Sequence, residues 1–188
     1  MKNVLTFLAD GFEEVEAVTP IDYLRRAGIT VTIASIGTEK IVTGSHEIGF
    51  LADTTISALE QTGKLNAESW DGVFIPGGMP GASNLAACEA VGGFYKEMAA
   101  AGKIIAAICA SPAVFLAPLG LLKGKKFTCY PGLEKKVNDG IWLSDNVVVD
   151  GNLITSRAPG TTVYFALALI EKLAGKEAAE KLKETSLL

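Results

Sequence analysis

The chain has 188 residues, of which 49% are hydrophobic and 20% are charged, and it carries a formal net charge of −4. This composition excludes a disordered protein and predicts a single folded domain spanning residues 1–188. No cluster of lysine and arginine is longer than a short "KGKK", which excludes nucleic acid as a partner.

The first half of the chain predicts two strands with a helix between them, followed by an irregular hairpin. The strands are short, apolar runs, whereas the helix has apolar residues at helical spacing and stops at a glycine. In chain order, the predicted elements are a strand at 3–9, a helix at about 13–26, a strand at 30–36 and the hairpin within 41–60.

The second half continues the alternation of strands and helices. Its predicted elements are a strand at 72–76, a helix at about 84–101, a strand at 103–108, a helix after Cys109, a hairpin at 146–156 with an Asp-Gly turn, and helices at 161–175 and 176–188. The segment 104–122 carries no charge and is long enough to cross a bilayer. Because Pro112, Pro118 and Gly120 interrupt it, we expect a buried strand and helix and no membrane partner.

Apolar strands alternating with helices predict an α/β sandwich with a mainly parallel sheet covered on both faces. Ligands of such folds bind beyond the carboxyl ends of the strands. Three predicted strands end in unusual residues, namely Asp10-Gly11, Gly77-Gly78 and Cys109. Since the carboxyl ends of parallel strands share one edge of the sheet, we expect these three points to meet in a site.

The cysteines indicate a reducing compartment. Cys88, Cys109 and Cys129 are odd in number and contain no CxxC pair, and the apolar run at the N-terminus is too short for a signal peptide. We therefore expect a cytoplasmic protein with free thiols. With His46 as the only histidine and no zinc-ligand spacing of cysteines, we also expect no metal and no cofactor.

Cys109 stands where the strand "KIIAAI" stops and "ASPAVFLA" begins. A tight strand-to-helix elbow exposes its central side chain and requires small neighbours, and Pro112 suits a first helical turn. The start of a helix would favour the thiolate. The alternative is a structural cysteine packed in the sheet.

Two other stretches carry candidate chemistry. The glycines of "PGGMPG" (76–81) allow backbone N–H groups to approach a reacting atom, although a plain tight turn has the same composition. Glu16 lies four residues before Pro20, which predicts a break or kink in the first helix, because the carbonyl of Glu16 loses its helical partner. A glutamate in an apolar pocket there would have a raised pKa and could donate a hydrogen bond to a thiolate, whereas the alternative is a solvated side chain.

Taken together, these residues resemble the ThiJ/PfpI family, and within it the branch of the Parkinson-disease-associated deglycase. The resemblance rests on four ordered blocks, "ADGFEEVEAVTPIDYLRRAGI", "GVFIPGGMPGASNL", "IIAAICASPAVFLAPLGLLKGKK" and "LITSRAPGTTVYFALALIEKLAGKE". It implies a flavodoxin-like three-layer sandwich of the class I glutamine amidotransferase type, and a homodimer. The apolar residues of the first helix and the pair Arg25-Arg26 are candidates for the dimer contact.

The resemblance also implies roles for individual residues. Cys109 corresponds to the reactive cysteine of the family and Glu16 to the glutamate that hydrogen-bonds it. Gly78 and Ala110 fall where backbone N–H groups line an oxyanion pocket. Family activities include glyoxalase-type conversion of 2-oxoaldehydes, deglycation, chaperone action and, in another branch, peptidase activity.

Two positions depart from the family pattern. The peptidase branch has a histidine directly after the cysteine, where this chain has Ala110, and the deglycase branch often has a histidine where this chain has Tyr130. A tyrosine can donate a hydrogen bond but is a poor general base at neutral pH. His46 lies outside these motifs, in the hairpin, at a position that resembles one near the dimer interface.

The sequence thus favours a cysteine-dependent stress-response protein with glyoxalase or deglycase activity on small 2-oxoaldehydes. In that reading, Cys109 forms a hemithioacetal and Glu16 shuttles the proton. The alternative is a non-enzymatic redox sensor or chaperone in which Cys109 is oxidised. A cysteine peptidase or amidase ranks last, because it lacks a general base.

Overall fold

A mainly parallel sheet of seven strands lies at the centre of the computed structural model, which describes residues 1–188. The strands are β1 (Asn3–Leu8), β2 (Thr30–Ser35), β3 (Ile41–Thr43), β4 (Gly49–Leu51), β5 (Thr54–Thr55), β6 (Gly72–Ile75), β7 (Ile104–Ile108), β8 (Lys126–Phe127), β9 (Ile141–Trp142), β10 (Val147–Asp150) and β11 (Leu153–Ser156). The helices are α1 (Glu14–Arg26), α2 (Ile56–Gln61), α3 (Gly81–Ala87), α4 (Glu89–Ala100), α5 (Thr162–Ala174) and α6 (Lys176–Thr185).

The strand order of the main sheet is β10-β11-β7-β6-β1-β2-β5. All neighbouring strands are parallel except β10 and β11, which form the predicted hairpin with its Asp-Gly turn. The strands β3 and β4 pair separately, as do β8 and β9. Because β1, β6 and β7 are adjacent and parallel, their carboxyl ends lie side by side at one edge of the sheet.

Helices cover both faces of the sheet and complete a three-layer sandwich, as predicted. Consecutive strand residues point to opposite faces, so that Val4 belongs to one buried apolar cluster and Leu5 to the other. The first cluster contains side chains of α1, α5 and α6, and the second contains side chains of α2, α3 and α4. Because the strands carry apolar side chains on both faces, each face of the sheet packs against its own layer of helices.

Several predicted boundaries differ from the structure. The helix expected at 84–101 is two helices, α3 and α4, which are separated by Cys88 in an extended conformation. The region 41–60 contains the β3–β4 hairpin, but also a strand of the main sheet and the short helix α2. The helix expected after Cys109 is only a five-residue π-helical turn, Pro112–Leu116.

The predicted break in α1 is wrong, because the helix continues through Pro20 from Glu14 to Arg26. Proline has a helical φ and removes only one backbone hydrogen bond directly. Pro20 is buried, as are Ala17, Ile21 and Leu24, which pack against the sheet. We infer that this packing offsets the missing hydrogen bond.

Two further predictions concern the surface of the protein. The uncharged segment 104–122 contains β7 and a series of turns, and no helix of the protein has both the length and the apolar character needed to span a membrane. Arg25 donates to the Val31 carbonyl and pairs with Asp53, and Arg26 pairs with Asp22. Both arginines thus have partners within the chain, so they give no support to the homodimer, which stays a prediction.

Candidate active site

The ends of β1, β6 and β7 meet at one edge of the sheet, as the sequence predicts. Backbone hydrogen bonds join the segments that follow them. The N–H of Glu13, after β1, donates to the carbonyl of Gly77, after β6, at 3.0 Å. The N–H of Tyr130 donates to the carbonyl of Cys109, after β7, at 2.8 Å. The candidate site is therefore built on main chain that backbone hydrogen bonds between loops hold in place.

Cys109 occupies a strained elbow directly after β7. Its φ is +64°, in the left-handed region that few residues other than glycine adopt. Its N–H donates to the Ser156 carbonyl at 3.0 Å, so that both its N–H and its carbonyl are held by neighbouring main chain. A strained backbone maintained in this way is typical of functional sites.

Two glycines allow this elbow to pack closely against β6. A Cβ on Gly77 would lie 2.6 Å from the Cβ of Cys109 and 2.8 Å from Oε2 of Glu16, too close for any side chain. Gly78 has a φ of +86°, and a Cβ there would overlap the backbone nitrogen of Glu13. The backbone nitrogen of Ala110 would lie 3.0 Å from the same Gly77 Cβ. The role of Gly78 and Ala110 as the lining of an oxyanion pocket stays a prediction.

Glu16 is fully buried beside this cysteine. Its Oε2 accepts a hydrogen bond of 2.8 Å from the N–H of Gly77, whereas its Oε1 has no hydrogen-bond partner. Burial raises the pKa of Glu16 to about 7, against the lowering effect of hydrogen bonds from Gly77 and Cys109, and the charge of Glu13 raises it slightly further. The first turn of α1 thus delivers a carboxyl group that can hold or release a proton at neutral pH.

Burial also raises the pKa of the Cys109 thiol, and the charge of Glu16 raises it further. The predicted lowering by a helix start is therefore wrong, because the thiol is buried and only a short π-helical turn follows it. The N–H groups of Gly78 and Ala110 act in the opposite direction. Since the two groups touch, they titrate as a pair. The pair loses its first proton near pH 7 and its second only at much higher pH, when it would carry two negative charges.

Tyr130 contributes main chain to the site. Its N–H holds the carbonyl of Cys109, while its side chain is about half exposed and its hydroxyl makes no hydrogen bond within the chain. The structure therefore gives the Tyr130 hydroxyl no contact within the chain through which it would take part in proton transfer.

A second cluster of ionisable side chains lies where α1 begins. Nδ1 of His46 lies 2.8 Å from Oε2 of Glu14 and 3.5 Å from Oε2 of Glu13, and the Ser45 hydroxyl reaches all three groups. Burial acts to raise the pKa of Glu14, but hydrogen bonds from the side chain and backbone of His46 outweigh it and bring the pKa to about 2. Sequence reasoning missed this cluster, since 32 residues separate Glu14 from His46. These are the residues of the chain that could hold a metal ion.

Comparison with known proteins finds related sequences and structures that match along nearly the whole chain. A model described as the DJ-1/PfpI family matches residues 2–172. Protein DJ-1 homolog B of Arabidopsis thaliana is 41% identical over 186 residues, which is 99% of this chain. The chain spans less than half of the length of the two Arabidopsis relatives it matches, at 41% and 46%.

Two other relatives match over nearly their whole length. A Caenorhabditis elegans protein named glutathione-independent glyoxalase DJR-1.2 is 35% identical over 174 residues, with 90% of this chain and 87% of that protein covered. Among solved structures, oxidised DJ-1 of Toxoplasma gondii superposes with a TM-score of 0.93 at 41% identity and covers 100% of this chain and 98% of its own.

Proposed function

The chain belongs to the DJ-1/PfpI family, and from that premise we propose that it is a stress-response enzyme of the glyoxalase or deglycase type. Its substrates would be small 2-oxoaldehydes, which it converts to 2-hydroxy acids without a cofactor. One observation carries the proposal: a strained cysteine, a fully buried carboxyl group and the backbone nitrogen of Ala110 converge beside Gly77. The name of the Caenorhabditis elegans relative, a glyoxalase that needs no glutathione, supports the same chemistry.

In the first step, Cys109 adds to the aldehyde. Its proton passes to the Glu16 carboxylate, the sulphur forms a bond to the aldehyde carbon, and the carbonyl oxygen takes the proton from Glu16, which gives a hemithioacetal. A carboxyl group with a pKa of about 7 is a stronger base than an ordinary glutamate and still returns the proton readily. The N–H groups of Gly78 and Ala110 stabilise the negative charge on the sulphur and on the adjacent oxygen.

In the second step, Glu16 moves a proton between neighbouring carbons. It removes the proton from the carbon that bears the sulphur, an enediol forms, and a proton returns to the former keto carbon, which leaves a thioester. Water then hydrolyses the thioester to the 2-hydroxy acid and restores the Cys109 thiol. The aldehyde carbon is oxidised and the keto carbon is reduced within one molecule, so the sum consumes one water and needs no external oxidant or reductant.

The same geometry disfavours peptide hydrolysis. A peptidase needs a base to activate its nucleophile and an acid to protonate a poor amine leaving group, and Glu16 is the one ionisable side chain beside Cys109 that could serve. His46 is hydrogen-bonded to Glu14 instead of Cys109, and Ala110 carries no ionisable side chain. An aldehyde has no leaving group, and one carboxyl group suffices for its proton transfers.

One observation favours a redox sensor as the second candidate. Oε1 of Glu16 is buried without a hydrogen-bond partner, and a protonated carboxyl group beside Cys109 could donate from there to an oxygen on the sulphur. Peroxide would oxidise the Cys109 thiolate to the sulfenate and then to the sulfinate. In this reading, the oxidised site signals stress or controls a chaperone surface.

Lactate formation from methylglyoxal tests the proposal. We expect the wild type to form lactate, Cys109→Ser to abolish the activity, and Cys88→Ser, a half-buried cysteine in another part of the chain, to retain it. Lactate formation that survives Cys109→Ser would contradict the mechanism. If the wild type forms none, while mass spectrometry finds a peroxide-dependent sulfinate at Cys109, the redox sensor replaces the enzyme.

We also propose that the protein acts in the cytoplasm as a homodimer, with aldehydes or oxidants as its small-molecule partners. Val15 and Val18 on the outer side of α1 are 48% and 44% exposed, which leaves an apolar helix face available for a second copy. Light scattering that finds only monomer at micromolar concentration would contradict the homodimer.

A further inference from the structure

We propose that Glu13, Glu14 and His46 form a binding site for one Zn²⁺ ion, separate from Cys109. The cluster lies where α1 begins, against the loop that follows β3, and it combines two carboxylates with one imidazole. The proposal does not depend on the glyoxalase chemistry. It also replaces the expectation of no metal, which considered only histidines and cysteines because these glutamates are distant from His46 in the sequence.

Two of the three separations between the ligand atoms are close to the spacing that zinc requires. All of them lie within 4.8 Å of one another. Nδ1 of His46 is 2.8 Å from Oε2 of Glu14 and 3.5 Å from Oε2 of Glu13. Ligand atoms about 2.0–2.2 Å from a tetrahedral Zn²⁺ lie roughly 3.3 Å apart. The contact between His46 and Glu14 would therefore lengthen by about half an ångström, while the other distance already fits.

The chain holds the Glu14 carboxylate in a fixed orientation. Its Oε1 accepts a hydrogen bond of 2.7 Å from the backbone N–H of His46, which leaves Oε2 directed at the imidazole. Gly44 provides space for this carboxylate, since a Cβ at that position would overlap it. The Ser45 hydroxyl lies 3.3 Å and 3.4 Å from Oε2 of Glu13 and Glu14. Outer-shell contacts of this kind orient the ligands of metal sites.

The charges of the cluster also favour a cation. No lysine or arginine forms a salt bridge with either Glu13 or Glu14, and His46 is the basic group that pairs with both. An ion pair alone would require one carboxylate, whereas here two carboxylates direct Oε2 at the same nitrogen. Imidazole nitrogen together with carboxylate oxygen is a ligand set that zinc accepts, with water completing the tetrahedron.

Isothermal titration calorimetry with Zn²⁺ tests the proposal. A phosphine in the buffer keeps the free cysteines reduced. We expect the wild type to bind one equivalent at this site and Cys109→Ser to retain it. His46→Gln and Glu14→Gln should each weaken binding by at least about tenfold. The matched control is Glu47→Gln, which removes an exposed glutamate next to His46 that is not a ligand and should leave the affinity unchanged.

A second measurement separates this site from capture of zinc by a thiol. Co²⁺ bound to oxygen and nitrogen lacks the intense sulphur-to-metal charge-transfer band that a thiolate ligand produces, so we expect none. His46→Gln should fold normally, because the imidazole is 67% exposed. The proposal is overturned if the wild type binds no zinc, if Cys109→Ser abolishes binding, or if His46→Gln binds as tightly as the wild type.

Discussion

Glu14 and Glu16 lie two residues apart on α1, and their environments shift their pKa values in opposite directions. Both are buried, at 6% and 0% exposure, yet the pKa of Glu14 is about 2 and that of Glu16 about 7. Burial acts to raise both values. At Glu14 it is outweighed by hydrogen bonds from the side chain and backbone of His46, whereas at Glu16, which accepts a hydrogen bond from the N–H of Gly77, burial prevails.

The difference shows that depth of burial and hydrogen-bond partners together decide what a carboxyl group in this fold can do. A carboxylate with a full set of donors stays ionised and serves to bind a cation or hold a loop. A carboxyl group with an unpartnered oxygen is poised to exchange a proton. On α1 these two roles are separated by half a turn of helix.

The largest effect that would test this comparison is the loss of the Glu16 proton. Glu16→Gln keeps an oxygen that can accept the Gly77 N–H but removes the group that carries the proton. We expect turnover of methylglyoxal to fall by about 10²–10⁴-fold, as for the loss of a general acid–base residue. Steady-state kinetics measures the loss, and circular dichroism checks the fold. Turnover within tenfold of the wild type would remove Glu16 from the mechanism.

The pH dependence of stability is the next effect. The pKa of Glu16 is raised from 4.5 to about 7, so between these values the folded state keeps a proton that the unfolded state has lost. Its contribution to stability is therefore full below pH 4.5 and is lost as the pH rises through 7. Between pH 5 and 8, we expect urea unfolding to show the wild type losing roughly 2–3 kcal/mol more than Glu16→Gln does.

Glu14 should show the opposite sign. Its pKa is lowered from 4.5 to about 2, so its contribution to stability is present above pH 4.5 and is lost as the pH falls through 2. Glu14→Gln should remove part of the acid sensitivity of the wild type below pH 4.5. Because Glu14 also raises the pKa of His46, the variant should in addition lose the stabilisation that the protonated imidazole provides below that raised pKa. If urea unfolding between about pH 2 and 4.5 showed the same acid sensitivity in Glu14→Gln and the wild type, the contrast between the two carboxyl groups would be wrong.

Sequence reasoning found one side of this comparison and missed the other. Parallel strand ends, two consecutive glycines and small residues around Cys109 are local features, and they predicted where β6 and β7 bring main chain together. Burial of Glu16 was one of two alternatives that the sequence left open, and the break expected from Pro20 was wrong because α1 continues through it. The contact between Glu14 and His46 depends on how the β3–β4 hairpin packs against α1, which no local pattern specifies.

The smallest expected effect is that of removing the Tyr130 hydroxyl. This hydroxyl would matter only if Glu16 were not the sole group that carries protons in the site. The N–H of Tyr130 holds the Cys109 carbonyl at 2.8 Å, and this bond belongs to the main chain. Its hydroxyl has no hydrogen-bond partner in the chain and its ring is 49% exposed. Tyr130→Phe keeps the ring and the main-chain bond and removes only the hydroxyl. We therefore expect kcat for methylglyoxal to change by less than about threefold, far below the effect of a general acid–base group. A loss of a hundredfold or more, with the fold intact, would mean that a phenol takes part in the chemistry and that Glu16 is not the only proton carrier.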